Sequence, residues 1–543
     1  MGARTPRNMS DYAAEYASFR WPRPERFNFV ADVVDRWARE RPQAPALLWC
    51  DGEGQRRVYS WTEVAERSVH AALFLRDLGL KPGDGVFTML PRLAEWWFLA
   101  LGCMRANLVL MPGTTMLTPK DVRYRLELGR AKAVITTSEH VHKFEVGAHS
   151  EVLAWLCTDA VPGGLWARFQ SERTGPAGGL AAFPQTRADD RMLVYFTSGT
   201  TGMPKMVPHT QASYGIGHTV TGKYWLDLGP EDIHLTLSDT GWAKCAWGKL
   251  FAPWSQGACV VVYDFRGRFD AKGLIQVLQR EKVTTFCAPP TAWRAIVLED
   301  LKSWPLPALR HVTSAGEPLN PEVIEAWRTA TGLTIREGYG QTETVCIVGS
   351  FPCLPVKPGS MGKPMPGFDV RVIDHTGQEA AAGQEGDIAV RVKPERPTGM
   401  FAGYLSDESA DAASLRGDFY VTGDRAVRDA DGYLWFVGRA DDVIKTSGYR
   451  VGPFEVESAL LEHPAVAESA VVGVKDEKLG QRIKAFVVLK PGQVPSESLA
   501  VELQEHVKRT TAPYKYPREI AFVPDLPKTV SGKIRRVELR EKR

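Results

Sequence analysis

The sequence is short of cysteine, and the cysteines it has are not arranged as a metal or redox site. Eight cysteines are spread over 543 residues, without a C-x-x-C pair or a Cys/His cluster of zinc-ligand spacing. Most of them have apolar neighbours, as small core residues do. This pattern excludes a zinc finger or a disulfide framework and favours a reducing compartment, so we expect a cytoplasmic protein.

Long apolar runs are also missing. The most apolar run, at residues 96–104, is too short to cross a bilayer and ends at Arg105. Residues 1–6 have no apolar core of the kind that a secretory signal needs. We therefore expect no integral membrane segment.

The chain carries little net charge. It has 67 Lys and Arg residues against 64 Asp and Glu residues, a formal net charge of +3 at pH 7. Such a small excess argues against nucleic-acid binding driven by bulk charge, and we expect no nucleic-acid partner. The function must therefore be read from local motifs.

The length and the order of the apolar segments predict a multidomain α/β protein. A chain of 543 residues exceeds one hydrophobic core. Short apolar strands, such as residues 85–90, 133–136 and 283–288, alternate with longer helical patterns. This alternation predicts parallel sheets that helices cover on both faces.

The character of the sequence changes after about residue 359. Short strands separated by turns predominate there, and a polar break follows at residues 438–442. We predict a large N-terminal domain, residues 1–438, of layered α/β sheets with a β-rich subdomain. A small α+β C-terminal domain, residues 439–543, is predicted to follow it.

A loop rich in glycine and threonine is the most informative local feature. An apolar strand that ends at Phe196 runs directly into hydroxyls, glycines and a lysine. Backbone N–H groups and hydroxyls in such a loop can wrap polyphosphate oxygens, and the lysine adds a positive charge. It is not a Walker A loop, because proline precedes the lysine and Met206 follows it. The loop consists of Thr197, Ser198, Gly199, Thr200, Thr201, Gly202, Met203, Pro204 and Lys205.

A second motif, E-G-Y-G-Q-T-E at residues 337–343, supplies groups that suit a nucleotide and a metal ion. Gly338 and Gly340 let the backbone approach a ligand closely. Tyr339 can stack on adenine. Glu343 is a hard oxygen ligand suited to Mg²⁺.

Two predicted strand ends add further candidates. The loop at residues 314–318 lies where ligands bind in α/β folds, although a plain strand-to-helix turn has the same pattern. The carboxylate of Asp424 can accept hydrogen bonds from both ribose hydroxyls, with an ordinary turn aspartate as the alternative.

Taken together and in this order, the motifs resemble those of the adenylate-forming enzymes. This superfamily includes acyl-CoA synthetases, firefly luciferase and peptide-synthetase adenylation domains. The matching segments are T-S-G-T-T-G-M-P-K, S-A-G-E-P, E-G-Y-G-Q-T-E, T-G-D and, near the end, P-K-T-V-S-G-K. The resemblance covers nearly the whole chain, and residues 238–248 are similar to the acid-pocket helix of medium-chain acyl-CoA synthetases.

The resemblance implies an ATP-dependent carboxylic acid–CoA ligase. Such an enzyme forms acyl-AMP and pyrophosphate from an acid and MgATP, and then acyl-CoA and AMP from acyl-AMP and coenzyme A. Its partners would be a small-molecule carboxylic acid, ATP and CoA. Medium-chain fatty acids are the leading substrates, while short branched and aromatic acids remain open.

The resemblance also implies the roles of individual residues at the adenylation site. Lys533 would be the catalytic lysine, with an ammonium group between the attacking carboxylate and the α-phosphate, and Glu343 would hold Mg²⁺. Thr342 and Lys205 would be further catalytic groups. Besides the phosphate loop, the ATP site would comprise Gly316, Glu317, Pro318, Glu337, Gly338, Tyr339, Gly340, Gln341, Thr342, Asp424, Arg439, Arg450 and Lys533.

The remaining implied roles concern CoA, the acid and a hinge. The C-terminal domain would be mobile and would turn at Asp441 between the two half-reactions. Lys508 also fits a plain surface lysine, and aromatics at the spacing of the acid-pocket segment also occur in cores. CoA would be bound by Ser447, Gly448, Tyr449 and Lys508, and the acyl pocket would be formed by Gly241, Trp242, Cys245 and Gly338.

Three other functions share these motifs. A stand-alone adenylation enzyme would load a carrier protein instead of CoA, a luciferase would use oxygen, and a non-catalytic sensor would only bind the nucleotide. Residues 238–248 favour a free acid. The full set of phosphate, ribose and lysine positions favours catalysis over binding alone.

Overall fold

Parallel strands alternate with helices through the first part of the chain, as the sequence predicts. The structure is a computed structural model. It describes residues 6–161, 163–169, 183, 185–197, 204–267, 269–405, 407–446, 449–476, 479–528 and 534–541.

The largest sheet carries the strand ends that matter for function. Its six central strands run parallel, and antiparallel strands complete both edges. The strands follow in the order Lys363–Pro364, Cys346–Gly349, Ile335–Gly340, His311–Ala315, Thr285–Ala288, Ile233–Thr236, Cys259–Asp264, Pro45–Asp51 and Arg56–Ser60.

A second, mostly parallel sheet carries the phosphate loop. Its central strand, Gly85–Met89, is buried at every position, as expected for a strand covered on both faces. The strands follow in the order Trp166–Arg168, Ala154–Cys157, Ala131–Thr136, Gly85–Met89, Val109–Pro112, Arg191–Thr197 and Lys205–Thr210. The last two strands pair antiparallel on either side of the phosphate loop.

Two smaller sheets follow along the chain. One is antiparallel and contains Val370–Ile373, Glu385–Arg391, Leu415–Arg416, Phe419–Arg428 and Leu434–Arg439. The other contains Ile444–Thr446, Tyr449–Val451, Val466–Asp476, Gly480–Leu489 and Glu519–Phe522. The α/β fold class is therefore confirmed, with a β-rich region before a small α+β unit. The boundary between residues 438 and 439 stays a prediction.

Several helices begin at residues whose side chains cap the first turn. Ser60 accepts a hydrogen bond from the backbone N–H of Glu63, whose carboxylate accepts the N–H of Ser60. Thr118 and Asp121 form the same reciprocal cap. The α-helices are Tyr12–Ser18, Asp35–Glu40, Trp61–Asp77, Ala94–Arg105, Pro119–Gly129, Gln211–Gly215, His218–Val220, Ala243–Ala246, Ala252–Ser255, Ala271–Arg280, Pro290–Ile296, Pro321–Thr331, Glu408–Ala413, Pro453–Glu462, Glu497–Thr510 and Arg536–Glu541.

Shorter helical turns of other types connect these elements. Segments with π-helical hydrogen bonding are Val30–Val34, Thr221–Trp225 and Trp247–Phe251. Segments with 3₁₀ geometry are Ser138–Lys143, Leu301–Ser303 and Pro513–Lys515. In the part of the chain that the structure describes, no helix combines the length and the apolar character needed to cross a bilayer.

Helix Ala94–Arg105 lies at the centre of the N-terminal core. All of its residues except Glu95 are buried. Gly102 allows the neighbouring helix to approach closely, because a Cβ atom there would lie 2.6 Å from the Cβ atom of Ala71. The guanidinium group of Arg105 donates to both carboxylate oxygens of Asp35, at 2.7 and 2.9 Å. This buried ion pair joins helix Ala94–Arg105 to helix Asp35–Glu40.

Replacing Asp35 by alanine should destabilise this core by about 3–5 kcal/mol, because Arg105 would keep a buried charge without its partner. Urea unfolding followed by tryptophan fluorescence measures the change. Glu325→Ala is the matched control, since it removes the carboxylate partner of the exposed Arg328. Its unfolding midpoint should stay close to that of the wild type. Equal midpoints for the two variants would contradict the role of the buried pair.

Candidate active site

Two neighbouring parallel strands bring the predicted adenine-side residues to one sheet edge. Ala315, the last residue of one strand, pairs with Gly338 in the next. Gly316, which follows directly, has a φ of +114°, a conformation that glycine adopts without strain. The predicted loop Gly316, Glu317 and Pro318 therefore lies beside the predicted segment 337–342.

Asp424 is the point at which separate predicted residues meet. Its carboxylate accepts hydrogen bonds from the Tyr339 hydroxyl at 2.6 Å and from the Gln341 side-chain amide at 2.7 Å. The Arg439 guanidinium donates to the other oxygen at 3.2 Å. We call these four residues the Asp424 cluster. Asp424 is 5% exposed, so its negative charge depends on these three donors.

The strand pairing explains why Arg439 reaches Asp424. Strands Phe419–Arg428 and Leu434–Arg439 run antiparallel, and Asp424 lies directly opposite Arg439 in their register. Opposite charges at facing positions attract each other across a sheet. Burial and the nearby carboxylate raise the pKa of Tyr339 well above its ordinary value. The tyrosine therefore stays protonated and donates to Asp424.

A second group surrounds the predicted phosphate and metal residues. The Tyr404 hydroxyl donates to Oε1 of Glu343 at 2.9 Å, and the ring of Tyr404 lies 5.0 Å from Nζ of Lys205. Asp407 lies 3.9 Å from the same ammonium group. Lys205 and Glu343, which are far apart in sequence, are thus joined through one tyrosine.

Tyr404 and Asp407 were not predicted from the sequence. They lie in an irregular segment, and no motif of known spacing includes them. Their segment is placed by backbone pairing: the N–H of Leu405 donates to the carbonyl of Met206 at 3.0 Å. Of the predicted phosphate loop, Thr197 pairs with Lys205 across the strand register. Ser198, Gly199, Thr200, Thr201, Gly202 and Met203 lie outside the described residues.

Glu343 has the chemistry of a magnesium ligand. Burial raises the pKa of its carboxyl group, so a nearby cation would favour the charged form. Among the described residues no three His, Cys, Asp or Glu side chains form a metal cluster. Mg²⁺ commonly uses one or two carboxylates together with water and substrate phosphates, and a single glutamate beside a phosphate loop fits that pattern.

A small, narrow cavity lies next to the adenine-side loop. Gly338 packs tightly against Trp225, which forms part of the cavity wall, because a Cβ atom at Gly338 would come within 2.4 Å of the Trp225 ring. On the opposite side, the Lys244 ammonium donates to the carbonyl of Ala315 at 2.8 Å. The cavity is lined by Thr221, Trp225, Leu226, Thr236, Lys244, Trp247, Gly248, Cys287 and Ala315.

None of the four acyl-pocket residues predicted from the sequence, Gly241, Trp242, Cys245 and Gly338, is among the residues that line this cavity. Cys245 is fully buried. The charged residues near its thiol include Lys249 and Asp239, and neither of these lines the cavity. Lys244 and Trp247 occupy the cavity face of the helix instead. Lys244 and Trp247 are three positions apart and therefore share one face of the helix, so Cys245, which follows Lys244, lies on another face.

Gly241 and Trp242 stand at the entrance to the same helix. Trp242 is its N-cap residue and is partly buried. Gly241 packs against the backbone near Thr114, where a Cβ atom would lie 2.2 Å from the amide nitrogen. The segment therefore reaches the site through tight backbone contact. The roles of these residues toward an acid stay predictions.

The predicted CoA-side residues make their described contacts within the C-terminal region. The ring of Tyr449, which is 51% exposed, stacks on Tyr514 with 4.2 Å between centroids. Lys508 forms an ion pair with Glu505 at 2.6 Å. Arg450 is exposed. Ser447 and Gly448 lie outside the described residues.

The predicted hinge lies between the Asp424 cluster and the terminal helix. Asp441 is 3.6 Å from Nε of Arg439, and its backbone carbonyl accepts a hydrogen bond from Arg540 at 3.3 Å. Lys533 lies outside the described residues. The helix that follows it contains Arg536, which donates to both carboxylate oxygens of Glu457 at 2.7 and 2.8 Å.

Contacts also connect the C-terminal region with the adenine-side loop. The side-chain amide of Asn320 donates to the Ser458 hydroxyl at 3.0 Å. Helix Pro453–Glu462 thus contacts the residue that precedes helix Pro321–Thr331, just after the adenine-side loop.

Glu337 combines complete burial with an unpaired oxygen. Its Oε1 accepts the backbone N–H of Leu319 at 2.9 Å, and Oε2 has no hydrogen-bond partner among the described residues. Burial raises the pKa of its carboxyl group to about 8, with the Leu319 hydrogen bond acting in the opposite direction. Glu337 is therefore mostly protonated at neutral pH.

Comparison with known proteins identifies two matching family models. Residues 34–405 match the AMP-binding enzyme model, and residues 455–533 match the AMP-binding enzyme C-terminal domain model.

Curated relatives match over almost the whole chain. The mitochondrial acyl-coenzyme A synthetase ACSM3 of Mus musculus is 48% identical over 99% of this chain and 94% of its own length. The mitochondrial acyl-coenzyme A synthetase ACSM4 of Homo sapiens is 47% identical over the same shares. These names contradict the cytoplasmic location expected from the sequence and point to a mitochondrial one.

Solved structures share the fold. The anthranilate CoA ligase AuaEII in complex with anthranoyl-AMP has a TM-score of 0.86 and 30% identity, and the match covers 95% of this chain and 97% of that chain. A benzoate CoA ligase from Burkholderia xenovorans has a TM-score of 0.82 and 31% identity, covering 95% and 100%.

The raised pKa of Glu337 predicts a pH-dependent stability. Between its ordinary pKa of 4.5 and about 8, the folded protein holds a proton that the unfolded chain lacks. Stability should therefore decrease as pH rises through this window, by up to about 1.4 kcal/mol per pH unit from this group. Glu337→Gln cannot titrate, so its stability should depend less on pH.

Thermal unfolding of the nucleotide-free protein at several pH values across this window measures the effect. Glu325→Gln, on an exposed helix face, is the control and should keep the pH dependence of the wild type. If Glu337→Gln has the same slope as the wild type, Glu337 is not a buried protonated acid.

Proposed function

The chain belongs to the AMP-binding enzyme family, as an acyl-coenzyme A synthetase, and from this premise we propose how its residues carry out the reaction and on which acids. A carboxylate displaces pyrophosphate from ATP to give acyl-AMP, and the thiol of CoA then displaces AMP to give acyl-CoA. The observation that carries this assignment is the convergence of Tyr339, Gln341 and Arg439 on Asp424.

In the first step the Asp424 cluster holds the nucleoside, and the groups around Tyr404 meet the leaving phosphates. Asp424 accepts the ribose hydroxyls, and the ammonium group of Lys205 faces the pyrophosphate. Thr342 offers its hydroxyl to the α-phosphate. Mg²⁺, bound by Glu343, would neutralise part of the phosphate charge. These groups act by positioning and by electrostatic stabilisation, so no side-chain nucleophile is needed.

In the second step the C-terminal domain supplies the CoA site. The change of sheet between strand Leu434–Arg439 and strand Ile444–Thr446 supports a domain boundary close to the predicted position after residue 438. Tyr449 is stacked on Tyr514. A rotation at Asp441 would bring Ser447, Gly448 and Tyr449 to the acyl-AMP, with Arg450 near a phosphate and Lys508 near CoA.

The acid is proposed to be a medium-chain carboxylic acid. The cavity wall combines Trp225 and Trp247 with small residues such as Gly248 and Ala315, so the lining is apolar, as the chain of such an acid requires. The ammonium group of Lys244 lies at the rim toward Ala315, where a carboxylate would approach the nucleotide.

Pyrophosphate release across a panel of acids tests the substrate class. Hexanoate and octanoate should give a higher kcat/KM than 2-methylbutyrate, benzoate, anthranilate or palmitate. The thiol acceptor is tested in the same assay by adding either CoA or a phosphopantetheinyl carrier protein, and only CoA should yield a thioester. Preference for an aromatic acid or for the carrier protein would overturn the proposed substrate or acceptor.

Lys533→Ala tests the division of labour between the two steps. Adenylation should slow by about 10²–10³-fold, because one preorganised positive donor at the developing charge is lost. Thioester formation from supplied acyl-AMP should remain close to the wild-type rate. Lys490→Ala, which removes an exposed lysine of the same domain, is the control. Equal losses in both half-reactions would refute the assigned role of Lys533.

A further inference from the structure

A chain of hydrogen bonds runs from the wall of the cavity to Thr342. The indole N–H of Trp247, a cavity residue, donates to the Tyr214 hydroxyl at 3.3 Å. The Tyr214 hydroxyl in turn donates to the backbone carbonyl of Thr342 at 2.7 Å. The same carbonyl oxygen is 2.7 Å from Nε2 of His209. Thr342 is thus linked to the cavity through a single buried hydroxyl.

The direction of these hydrogen bonds is fixed by what each group can do. A backbone carbonyl only accepts and an indole nitrogen only donates, so the hydroxyl proton of Tyr214 must point toward Thr342. His209 is completely buried, and burial lowers its pKa to about 3, so its ring is neutral. Its single ring proton therefore lies on Nε2, and Nδ1 accepts from the Ser213 hydroxyl at 3.0 Å.

The surroundings of Tyr214 hold it in one place. Its ring stacks on His209 with centroids 3.5 Å apart and contacts Phe251 edge-on at 5.8 Å. Tyr214 is fully buried, and burial raises its pKa far above neutrality, so the hydroxyl keeps its proton. A rotation of the ring would leave the carbonyl of Thr342 with one donor fewer in a dry environment.

Trp247 also contacts the backbone just before Thr342. A Cβ atom at Gly340 would lie 2.6 Å from the Trp247 ring, so the ring packs directly against that glycine. An acid that fills the cavity must rest on this same ring. Displacement of Trp247 is therefore transmitted to residues 340–342 by packing and through the Tyr214 hydroxyl.

We propose that Tyr214 is a positioning residue that couples occupancy of the acid cavity to the placement of Thr342 at the α-phosphate. The proposal rests on the proposed function for the identity of the two ligands. An acid seated against Trp247 fixes the indole, and the hydroxyl of Tyr214 then holds the Thr342 peptide in the reacting position. An unoccupied or poorly filled cavity leaves the peptide less firmly held, and adenylation is slower.

The proposal makes Tyr214 part of a unit with Trp247. Tyr214→Phe keeps the ring packing and removes only the hydroxyl, and Trp247→Phe keeps an aromatic wall without the N–H donor. Tyr12→Phe is the matched control, since it removes a hydroxyl that donates to a backbone carbonyl, that of Pro364, at 2.9 Å. The kcat for pyrophosphate release with octanoate is measured for the single variants and for the double variant.

Tyr214→Phe should lower this kcat by about 3- to 10-fold, in keeping with the loss of one buried hydrogen bond. The double variant should lose less than the product of the two single losses, because both changes break the same link. The control should keep the wild-type kcat. Multiplicative losses, or a Tyr214→Phe variant that is only less stable at unchanged kcat, would overturn the proposal.

A binding measurement separates this inference from the proposed function. The affinity for α,β-methylene-ATP is determined by calorimetry with and without saturating octanoate. In the wild type the acid should tighten nucleotide binding at least threefold, and in Tyr214→Phe this factor should fall to about one. If the wild type releases pyrophosphate but octanoate does not tighten its nucleotide binding, the inference is refuted and the proposed function is unaffected. Absence of pyrophosphate release with every acid refutes the function, while the coupling factor still decides the inference.

Discussion

The buried carboxylate of Asp424 holds together parts of the chain that are far apart in sequence. An aspartate that is 5% exposed needs donors for its charge, and Tyr339, Gln341 and Arg439 supply them. Tyr339 and Gln341 come from the end of the large sheet, while Arg439 is the last residue of strand Leu434–Arg439 in the β-rich region. The hydrogen bonds to this one carboxylate thereby hold the adenine-side edge of the large sheet against the β-rich region, at the strand that leads to the C-terminal domain.

A single short strand links the two ends of the phosphate site. Strand Lys205–Thr210 begins at the lysine that lies over Tyr404 and carries His209 at the far end, where its ring meets the carbonyl of Thr342. The strand therefore connects Lys205 directly to the segment around Thr342. Such a connection suits positioning catalysis, because small displacements of reacting groups are costly.

Much of the fold and of the candidate site could be predicted because the information is local. Alternating strands and helices, and motifs of fixed spacing such as the one around Tyr339, need no knowledge of the rest of the chain. Tyr404 could not be predicted, because its place beside Glu343 depends on the pairing of Leu405 with Met206. The direction in which Cys245 points could not be predicted either, because the rotation of a short helix against its neighbours is decided by packing.

The helix that carries Lys244 and Trp247 has two faces with different surroundings. One face borders the cavity, while Cys245 and Lys249 on the other are sealed in the core. Trp247 belongs to both the cavity wall and the core, so a change of this residue alters the cavity together with the packing on Gly340 and the hydrogen bond to Tyr214. The shape of the cavity and the packing of the core beneath it are therefore one structural constraint, which any exchange of Trp247 must satisfy twice.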